Sequence, residues 1–209
     1  MNTTVHTIFT RRKRDLAGSR VLLTGVAGNL GRELAFALVR RGCDVLGIDR
    51  DQEALRLLTA EFDEHGLAHY LHVLDISDSQ ALRDYLARQA GQPIDILILN
   101  AGITRIRPFS EADFADFQSV MAVNFFAPVL LVKECLDRLR QCRGTIVGIC
   151  SFSGLAPLMN RTAYSASKHA LSGFLESLRS EEEAMDILVV YPSFLKTGIK
   201  EVGASAASN

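Results

Sequence analysis

The sequence has little of what marks a metal site, a nucleic-acid interface or a membrane span. Its four cysteines have no C-x-x-C spacing, and no carboxylate or cysteine matches the histidines at metal-ligand spacing, which argues against zinc and against a disulfide framework. The formal net charge is −1, and the basic excess is confined to residues 11–14, so we expect no nucleic-acid partner. We also expect no membrane span, because no apolar run approaches the required length of about 18 residues.

Length and composition favour one globular domain. A chain of 209 residues with 48% hydrophobic content can bury a single sizeable core. We predict a flexible N-terminal extension over residues 1–17 and one domain over residues 18–209. The first 20 residues lack the apolar core of a secretory signal, and the cysteine pattern suits a reducing compartment, so a cytoplasmic location is expected.

Strand and helix patterns alternate along the whole chain. Apolar strand patterns cover residues 21–23, 45–48, 69–74, 94–99, 144–150 and 186–191. Helical patterns cover residues 30–38, 51–65, 78–90, 111–140 and 162–184, the fourth with a bend expected near Pro128. This alternation predicts an α/β fold with a parallel sheet and helices on both faces.

A glycine turn connects the first predicted strand to the first predicted helix. Gly25, Gly28 and Gly31 would let the backbone approach a pyrophosphate, which the following helix N-terminus favours through its free N–H groups. Asp49 stands at the tip of the second strand, 18 residues beyond Gly31, where an acid would meet the adenosine ribose. The pattern predicts a dinucleotide site, although a carboxylate there could instead cap the next helix.

Tyr164 and Lys168 are four residues apart and therefore share one helix face. An ammonium beside the phenol would favour the phenolate, lower the pKa of Tyr164 and suit it to proton transfer. Taken alone, this spacing is also that of an ordinary surface pair. Its meaning depends on the polar residues that end the predicted strands, and these should meet at one edge of the sheet. They are Thr24, Gly25, Asp49, Asp75, Asn100, Ala101, Gly102, Ser151, Pro192, Ser193 and Thr197.

From about Ser19 to about Lys200 the chain resembles the short-chain dehydrogenase/reductase family. TGVAGNLG matches the family's T-G-x-x-x-G-x-G turn, with Asn29 at the place of the middle glycine, a substitution that a left-handed backbone would tolerate. LDISD around Asp75 resembles its adenine-binding segment, and Asn100 to Gly102 its N-A-G signature. The resemblance implies a Rossmann-type doubly wound sheet of about six strands in the order 3-2-1-4-5-6.

The resemblance also implies the chemistry of the site. Ser151, Tyr164, Lys168 and Asn124 take the places of the family's catalytic residues. Tyr164 would exchange a proton with the substrate oxygen, Ser151 would hydrogen-bond that oxygen, and Lys168 would hold the nicotinamide ribose. The backbone of Asn124 would bind a water that relays protons. The expected activity is hydride transfer between a nicotinamide cofactor and a hydroxyl or ketone group. The cofactor-binding residues would be Thr24, Gly25, Gly28, Asn29, Leu30, Gly31, Asp49, Arg50, Asp75, Ile76, Asn100, Ala101, Gly102, Tyr164, Lys168, Pro192 and Thr197.

Asp49 favours NAD over NADP, because its carboxylate would accept hydrogen bonds from the ribose hydroxyls and repel a 2′-phosphate. NADP stays open as the alternative, since Arg50 could pair with that phosphate.

The C-terminal part departs from the family pattern. After Thr197 the family continues with a substrate-covering segment and a seventh strand, whereas this sequence stops at VGASAASN. We therefore expect the sixth strand to be an exposed edge. A non-catalytic dinucleotide-binding module is the alternative to an enzyme. The resemblance further implies a homodimer formed by helices 111–140 and 162–184.

The substrate is expected to be small to medium in size and apolar. Its pocket wall would come from Ile103, Phe152, Leu155, Leu158, Met159 and Phe194. Arg105 and Arg107 are candidates for contact with an acidic substrate tail, although surface arginines are common.

Overall fold

The structure is a computed structural model that describes residues 15–192. The strands are β1 (Arg20–Thr24), β2 (Asp44–Asp49), β3 (Tyr70–Val73), β4 (Ile96–Leu99), β5 (Thr145–Ile149) and β6 (Asp186–Val190). The α-helices are α1 (Asn29–Val39), α2 (Gln52–Glu64), α3 (Ser79–Arg88), α4 (Phe114–Met121), α5 (Ala127–Gln141) and α6 (Thr162–Glu181). Short 3₁₀ turns lie at Phe109–Glu111 and Phe152–Gly154, and a π-helical turn, Ala122–Phe126, joins α4 to α5.

The six strands form one parallel sheet in the order β3-β2-β1-β4-β5-β6. The predicted fold and strand order are confirmed. Successive residues of β1 point to opposite faces, as the two-residue period of a strand requires. Leu22 packs with residues of α3, α5 and α6, whereas Val21 and Leu23 pack with residues of α1 and α2. The sheet is therefore buried on both faces, and the strand order reverses between β1 and β4.

The predicted helix over 111–140 is a continuous helical stretch, Phe114–Gln141, with a change of winding in its middle. The N–H of Ala127 bonds to the carbonyl of Ala122, five residues earlier, and Pro128 has no N–H to continue the ladder. The irregularity predicted near Pro128 is therefore a π turn just before it.

By length and composition this helix is apolar enough to cross a membrane, so the expectation that no such stretch exists is wrong. The scattered polar residues Gln118 and Asn124 interrupt the apolar run without making the stretch polar on average. Because 44% of that window is buried, and Val120 and Leu131 lie in the core, the stretch also has the features of an ordinary core helix.

At the margins of the domain, Leu16 packs against the α1–α2 side of the core, and its carbonyl accepts a hydrogen bond from the Cys43 thiol. The described domain thus includes residues on the N-terminal side of the predicted boundary at residue 18.

At the other margin, β6 pairs with β5 alone among residues 15–192, and Leu188 on it is 53% exposed. Residues 1–14 and 193–209, with the expectations about Ser193, Phe194 and Thr197, lie outside the described residues.

Candidate active site

One cavity of about 780 Å³ runs along the carboxyl ends of the strands. Its dinucleotide end is lined by the glycine turn, by Asp49 and by Asp75, and its reaction end by Ser151, Tyr164 and Lys168. The cavity lies where the strand order reverses between β1 and β4, which is where doubly wound sheets bind ligands. Its volume suits a medium-sized ligand.

The glycine turn leaves no room for side chains at two positions. Gly25 has φ +67, and a Cβ there would lie 2.8 Å from the Cα of Ala101. A Cβ on Gly31 would lie 2.0 Å from the carbonyl oxygen of Gly25. Gly28 is the N-cap of α1 and supplies no side-chain acceptor, so the first N–H groups of the helix are left to a ligand. This cradle fits a dinucleotide pyrophosphate.

Asn29 is the first residue of α1 and has no positive φ. The suggestion that asparagine is tolerated there through a left-handed backbone is therefore wrong. The position is helical, and any residue compatible with a first turn satisfies its conformation.

Thr24 serves the fold and does not line the cavity. It is 1% exposed, and its hydroxyl accepts hydrogen bonds from the N–H groups of Asn100 and Ala101, both over 3.0 Å. The Asn100 amide donates to the carbonyls of Thr24 and Gly25. These hydrogen bonds join the ends of β1 and β4. Thr24 was expected to touch the cofactor, but it instead positions residues that do line the cavity, namely Asn100, Ala101 and the glycine turn.

Asp49 is held at the tip of β2 by two backbone donors. Its Oδ2 accepts from the N–H of Ala27 over 3.0 Å, and its Oδ1 accepts from the N–H of Asp51 over 3.1 Å. Asp51, not Asp49, caps α2 by accepting from the N–H of Ala54. The carboxylate of Asp49 is therefore fixed at the cavity, next to the exposed Arg50.

Asp75 also stands at the cavity without capping the following helix. Its Oδ1 accepts from both the N–H and the hydroxyl of Ser77, whereas Asp78 caps α3. Ile76, beside it, is 7% exposed and lines the cavity. Neither carboxylate is a helix cap, so the alternative in which Asp49 caps the next helix is wrong.

At the reaction end, Tyr164 and Lys168 lie on the first turns of α6. They are 4% and 3% exposed, and the Lys168 Nζ lies 5.8 Å from the centroid of the Tyr164 ring. The Lys168 ammonium donates to the carbonyl of Ile149 over 2.8 Å. Burial lowers the pKa of Lys168 to about 8.

The expectation that Lys168 lowers the pKa of Tyr164 is corrected by the structure. Burial is the largest influence, and it raises the pKa of the Tyr164 phenol above its ordinary value. A hydrogen bond with Ser151 and the positive charge of Arg161 act in the opposite direction on that pKa. The Ser151 hydroxyl also lies 3.1 Å from the hydroxyl of Ser153, a fully buried residue that sequence reasoning missed.

Asn124 is fully buried in the π turn and does not line the cavity. Its Oδ1 accepts from the N–H of Ile103 over 2.9 Å, and its Nδ2 donates to the Ile103 carbonyl and the Ser167 hydroxyl. A Cβ added to Gly102 would come within 3.5 Å of both Asn124 Oδ1 and Lys168 Nζ. The Asn124 side chain thus fixes the segment that follows β4 against α6. Pro128, which has no N–H, cannot donate to the Asn124 carbonyl.

The predicted site residues fall into three groups. Most line the cavity, Pro192 included, whereas Thr24 and Asn124 support it from behind and Thr197 lies outside the described residues. Ile103, Phe152 and Leu158 of the predicted substrate wall line the cavity, but Leu155 and Met159 do not and are 59% and 88% exposed.

The cavity also contains residues that the sequence analysis missed, among them Thr104, Ile106 and Arg161. Arg161 lies three residues before Tyr164, and this one-turn spacing was the signal that could have found it. In residues 15–192, no group of three or more His, Cys, Asp or Glu side chains could hold a metal ion.

Comparison with known proteins agrees with this geometry. A sequence model of the family described as short chain dehydrogenase matches residues 19–206, and the chain belongs to this family. It is 34% identical over 196 residues to dehydrogenase/reductase SDR family member 7B of Xenopus laevis, covering 88% of this chain and 60% of that protein. The chain therefore spans about three fifths of the length of that relative.

Solved structures share the fold. A candidate NAD(P) dependent gluconate 5-dehydrogenase of Beutenbergia cavernae with bound NADP superposes with a TM-score of 0.82 at 27% identity, over 88% of this chain and 76% of that chain. A short chain dehydrogenase/reductase of Burkholderia phymatum in complex with NAD superposes with a TM-score of 0.83 at 23% identity, over 89% and 69%.

Proposed function

We propose that this protein is an oxidoreductase that transfers a hydride between a nicotinamide cofactor and a hydroxyl or ketone group, with Tyr164 as the general acid and base. One observation carries the proposal. A single cavity joins the glycine turn and Asp49 at one end to Ser151, Tyr164 and Lys168 at the other. Family membership supports an enzyme of this class.

The protein's own residues would do the proton chemistry. The Tyr164 phenol gives its proton to a carbonyl oxygen, or removes one from an alcohol, while the Ser151 hydroxyl hydrogen-bonds the same oxygen. The ordinary pKa of a phenol already favours the neutral form at pH 7, and burial raises the pKa of Tyr164 further, which suits proton donation in reduction. The nicotinamide, when bound, supplies the hydride donor or acceptor.

Lys168 and Asn124 would position these groups. The Lys168 ammonium now donates to the Ile149 carbonyl. When the cofactor binds, part of that hydrogen bonding would be redirected to the ribose hydroxyls. The Asn124 side chain keeps Ile103 and α6 together, and its backbone carbonyl is the proposed acceptor for a relay water.

We propose NAD as the preferred cofactor. The carboxylate of Asp49 is fixed by Ala27 and Asp51, and each oxygen retains a lone pair for a ribose hydroxyl. A 2′-phosphate would meet this negative charge, and Arg50 would have to compensate for it. The relative from Beutenbergia holds NADP, which keeps NADP as the alternative.

We further propose a cytoplasmic homodimer that uses α4, α5 and α6. Phe125 lies 5.2 Å from Phe126 and 6.3 Å from Phe174 between ring centroids, and Phe126 is 60% exposed. An exposed aromatic group of this kind is suited to burial against a second copy.

The direct test of the proposed activity is spectrophotometric. Oxidation of NADH and of NADPH is followed at neutral pH with a panel of ketones, and the reverse reaction with the matching alcohols. Turnover that is lost in Tyr164→Phe supports the proposal. Tight dinucleotide binding without turnover of any compound would favour the non-catalytic alternative.

A further inference from the structure

Arg161 places a positive charge at the reaction end of the cavity. It directly precedes α6, one helical turn before Tyr164, and lines the same cavity as Tyr164 and Ser151. Burial raises the pKa of the Tyr164 phenol, and the positive charge of Arg161 acts in the opposite direction, which fits a guanidinium near the reacting oxygen.

No carboxylate balances this charge among residues 15–192. Nη1 of Arg161 donates to the hydroxyl of Thr104 over 3.4 Å, and no ion pair within 4.0 Å forms to any described acid. The carboxylates that line the cavity, Asp49, Asp51 and Asp75, follow β2 and β3 at its dinucleotide end. Within residues 15–192, the reaction end therefore has a half-buried guanidinium without a counter-charge.

The two arginines expected to meet an acidic substrate are occupied elsewhere. Arg105 Nε lies 3.0 Å from Oδ1 of Asp116, and Arg107 Nη1 lies 3.5 Å from Oδ2 of the same carboxylate. Neither arginine lines the cavity, whereas Ile106 between them does. Their pairing with Asp116 holds the 103–107 segment beside Arg161, where the N–H of Arg107 also bonds to the carbonyl of Asn160.

We propose that Arg161 binds a carboxylate of the substrate and so sets the substrate class as an oxo or hydroxy acid with an apolar body. The proposal rests on the proposed function. A guanidinium offers a planar pair of donors that matches a carboxylate, and partial burial strengthens that pairing. Ile103, Ile106, Phe152 and Leu158 line the same end of the cavity and would contact the apolar body.

The test uses pairs of ketones that differ in one charge. Para-acetylbenzoate, a shorter and a longer aliphatic oxo acid, and their methyl esters are compared at neutral pH with NADH and NADPH. The unmodified protein should have a kcat/KM for the best acid about 10- to 100-fold above that for its ester, which is the value of hydrogen bonds to a charged group. Arg161→Gln should remove this preference by lowering kcat/KM for the acid much more than for the ester, and Arg161→Lys should restore part of it.

The control is Arg56→Gln, which makes the same change of charge on α2, where Arg56 pairs with Glu53 outside the cavity. It should leave the acid preference intact. Equal use of acids and esters by the unmodified protein would overturn the proposal while the proposed activity stands. An equal loss for both ketones in Arg161→Gln would show that Arg161 only supports Thr104.

Binding decides the question even without turnover. Calorimetry with Tyr164→Phe saturated with dinucleotide should give tighter binding of an acid than of its ester, and the added Arg161→Gln change should abolish the difference. This result with no turnover in the unmodified protein would contradict the proposed activity alone. A failure of every acid to bind more tightly than its ester would contradict the assignment of Arg161.

Discussion

The ammonium of Lys168 donates a hydrogen bond to the backbone carbonyl of Ile149 over 2.8 Å, and its side chain is 3% exposed. The charge is thus held inside the protein by one neutral acceptor. Burial lowers the pKa of Lys168 to about 8 from an ordinary value of 10.5. The protonated form of Lys168 therefore lowers the free energy of unfolding. A bound cofactor that accepts hydrogen bonds from the ammonium would reduce this loss.

The lowered pKa of Lys168 predicts that the stability of the protein depends on pH. Between about pH 8 and 10.5 the unfolded chain binds more protons at Lys168 than the folded chain, so the free energy of unfolding should rise with pH over that window. Lys168→Met keeps the length without the charge and should lack this rise. Urea unfolding of both proteins from pH 7 to 10.5 measures the difference, and parallel curves would contradict the assigned pKa.

Thr24→Val should destabilise the protein, because the N–H groups of Asn100 and Ala101 both lose their acceptor. A buried donor left without a partner costs about 1–3 kcal/mol. Thr24→Ser is the matched control and should keep most of the stability, since it keeps the hydroxyl. Urea unfolding midpoints compare the two variants. A loss in Thr24→Ser that is as large as the loss in Thr24→Val would contradict the assignment of the effect to the hydroxyl.

Removing the charge of Asp49 should change cofactor choice. Asp49→Ala loses both the ribose acceptor and the repulsion of a 2′-phosphate, so NAD should bind roughly 10-fold more weakly and discrimination against NADP should relax. Asp49→Asn keeps an acceptor and removes the charge, which separates the two effects. Fluorescence titration with NADH and NADPH provides the dissociation constants. Equal affinity of the unmodified protein for both cofactors would defeat the prediction.

The proposed dimer predicts that a change of one exposed side chain will dissociate it. Phe126→Lys changes a residue that is 60% exposed, so the fold should be unaffected while the dimer dissociates. Light scattering at micromolar concentration should give a dimer for the unmodified protein and a monomer for the variant, with unchanged thermal unfolding. A monomeric unmodified protein would contradict the interface.

The parallel sheet and the location of the site were predictable from periodicity and chain order, whereas the strand order was implied by the family resemblance. Apolar runs alternate with helical patterns, and the residues after each parallel strand must share one edge of the sheet. Asp49, Asn100 and Ser151 line the cavity, as this argument predicts.

Contacts between distant residues were not predictable in the same way. Thr24 differs from a ligand-binding hydroxyl only through its hydrogen bonds to Asn100 and Ala101, which lie 76 and 77 positions away in the sequence. Burial is the largest influence on the pKa of Tyr164 and raises it, and burial depends on how the whole domain packs. Arg161 differs from Arg105 and Arg107 because Asp116 pairs with those two, and a sequence does not show which cation an acid selects.

The central claim is that Tyr164 is the proton donor and acceptor. The measurement is kcat and dinucleotide affinity for Tyr164→Phe and Lys168→Ala, side by side with the unmodified protein. Tyr164→Phe should lower turnover by at least about 10²-fold, the value of general acid catalysis, and leave dinucleotide affinity nearly intact because the ring still packs. Lys168→Ala should reduce both turnover and affinity. Turnover in Tyr164→Phe within about tenfold of the unmodified protein, where that role requires 10² or more, would contradict the account.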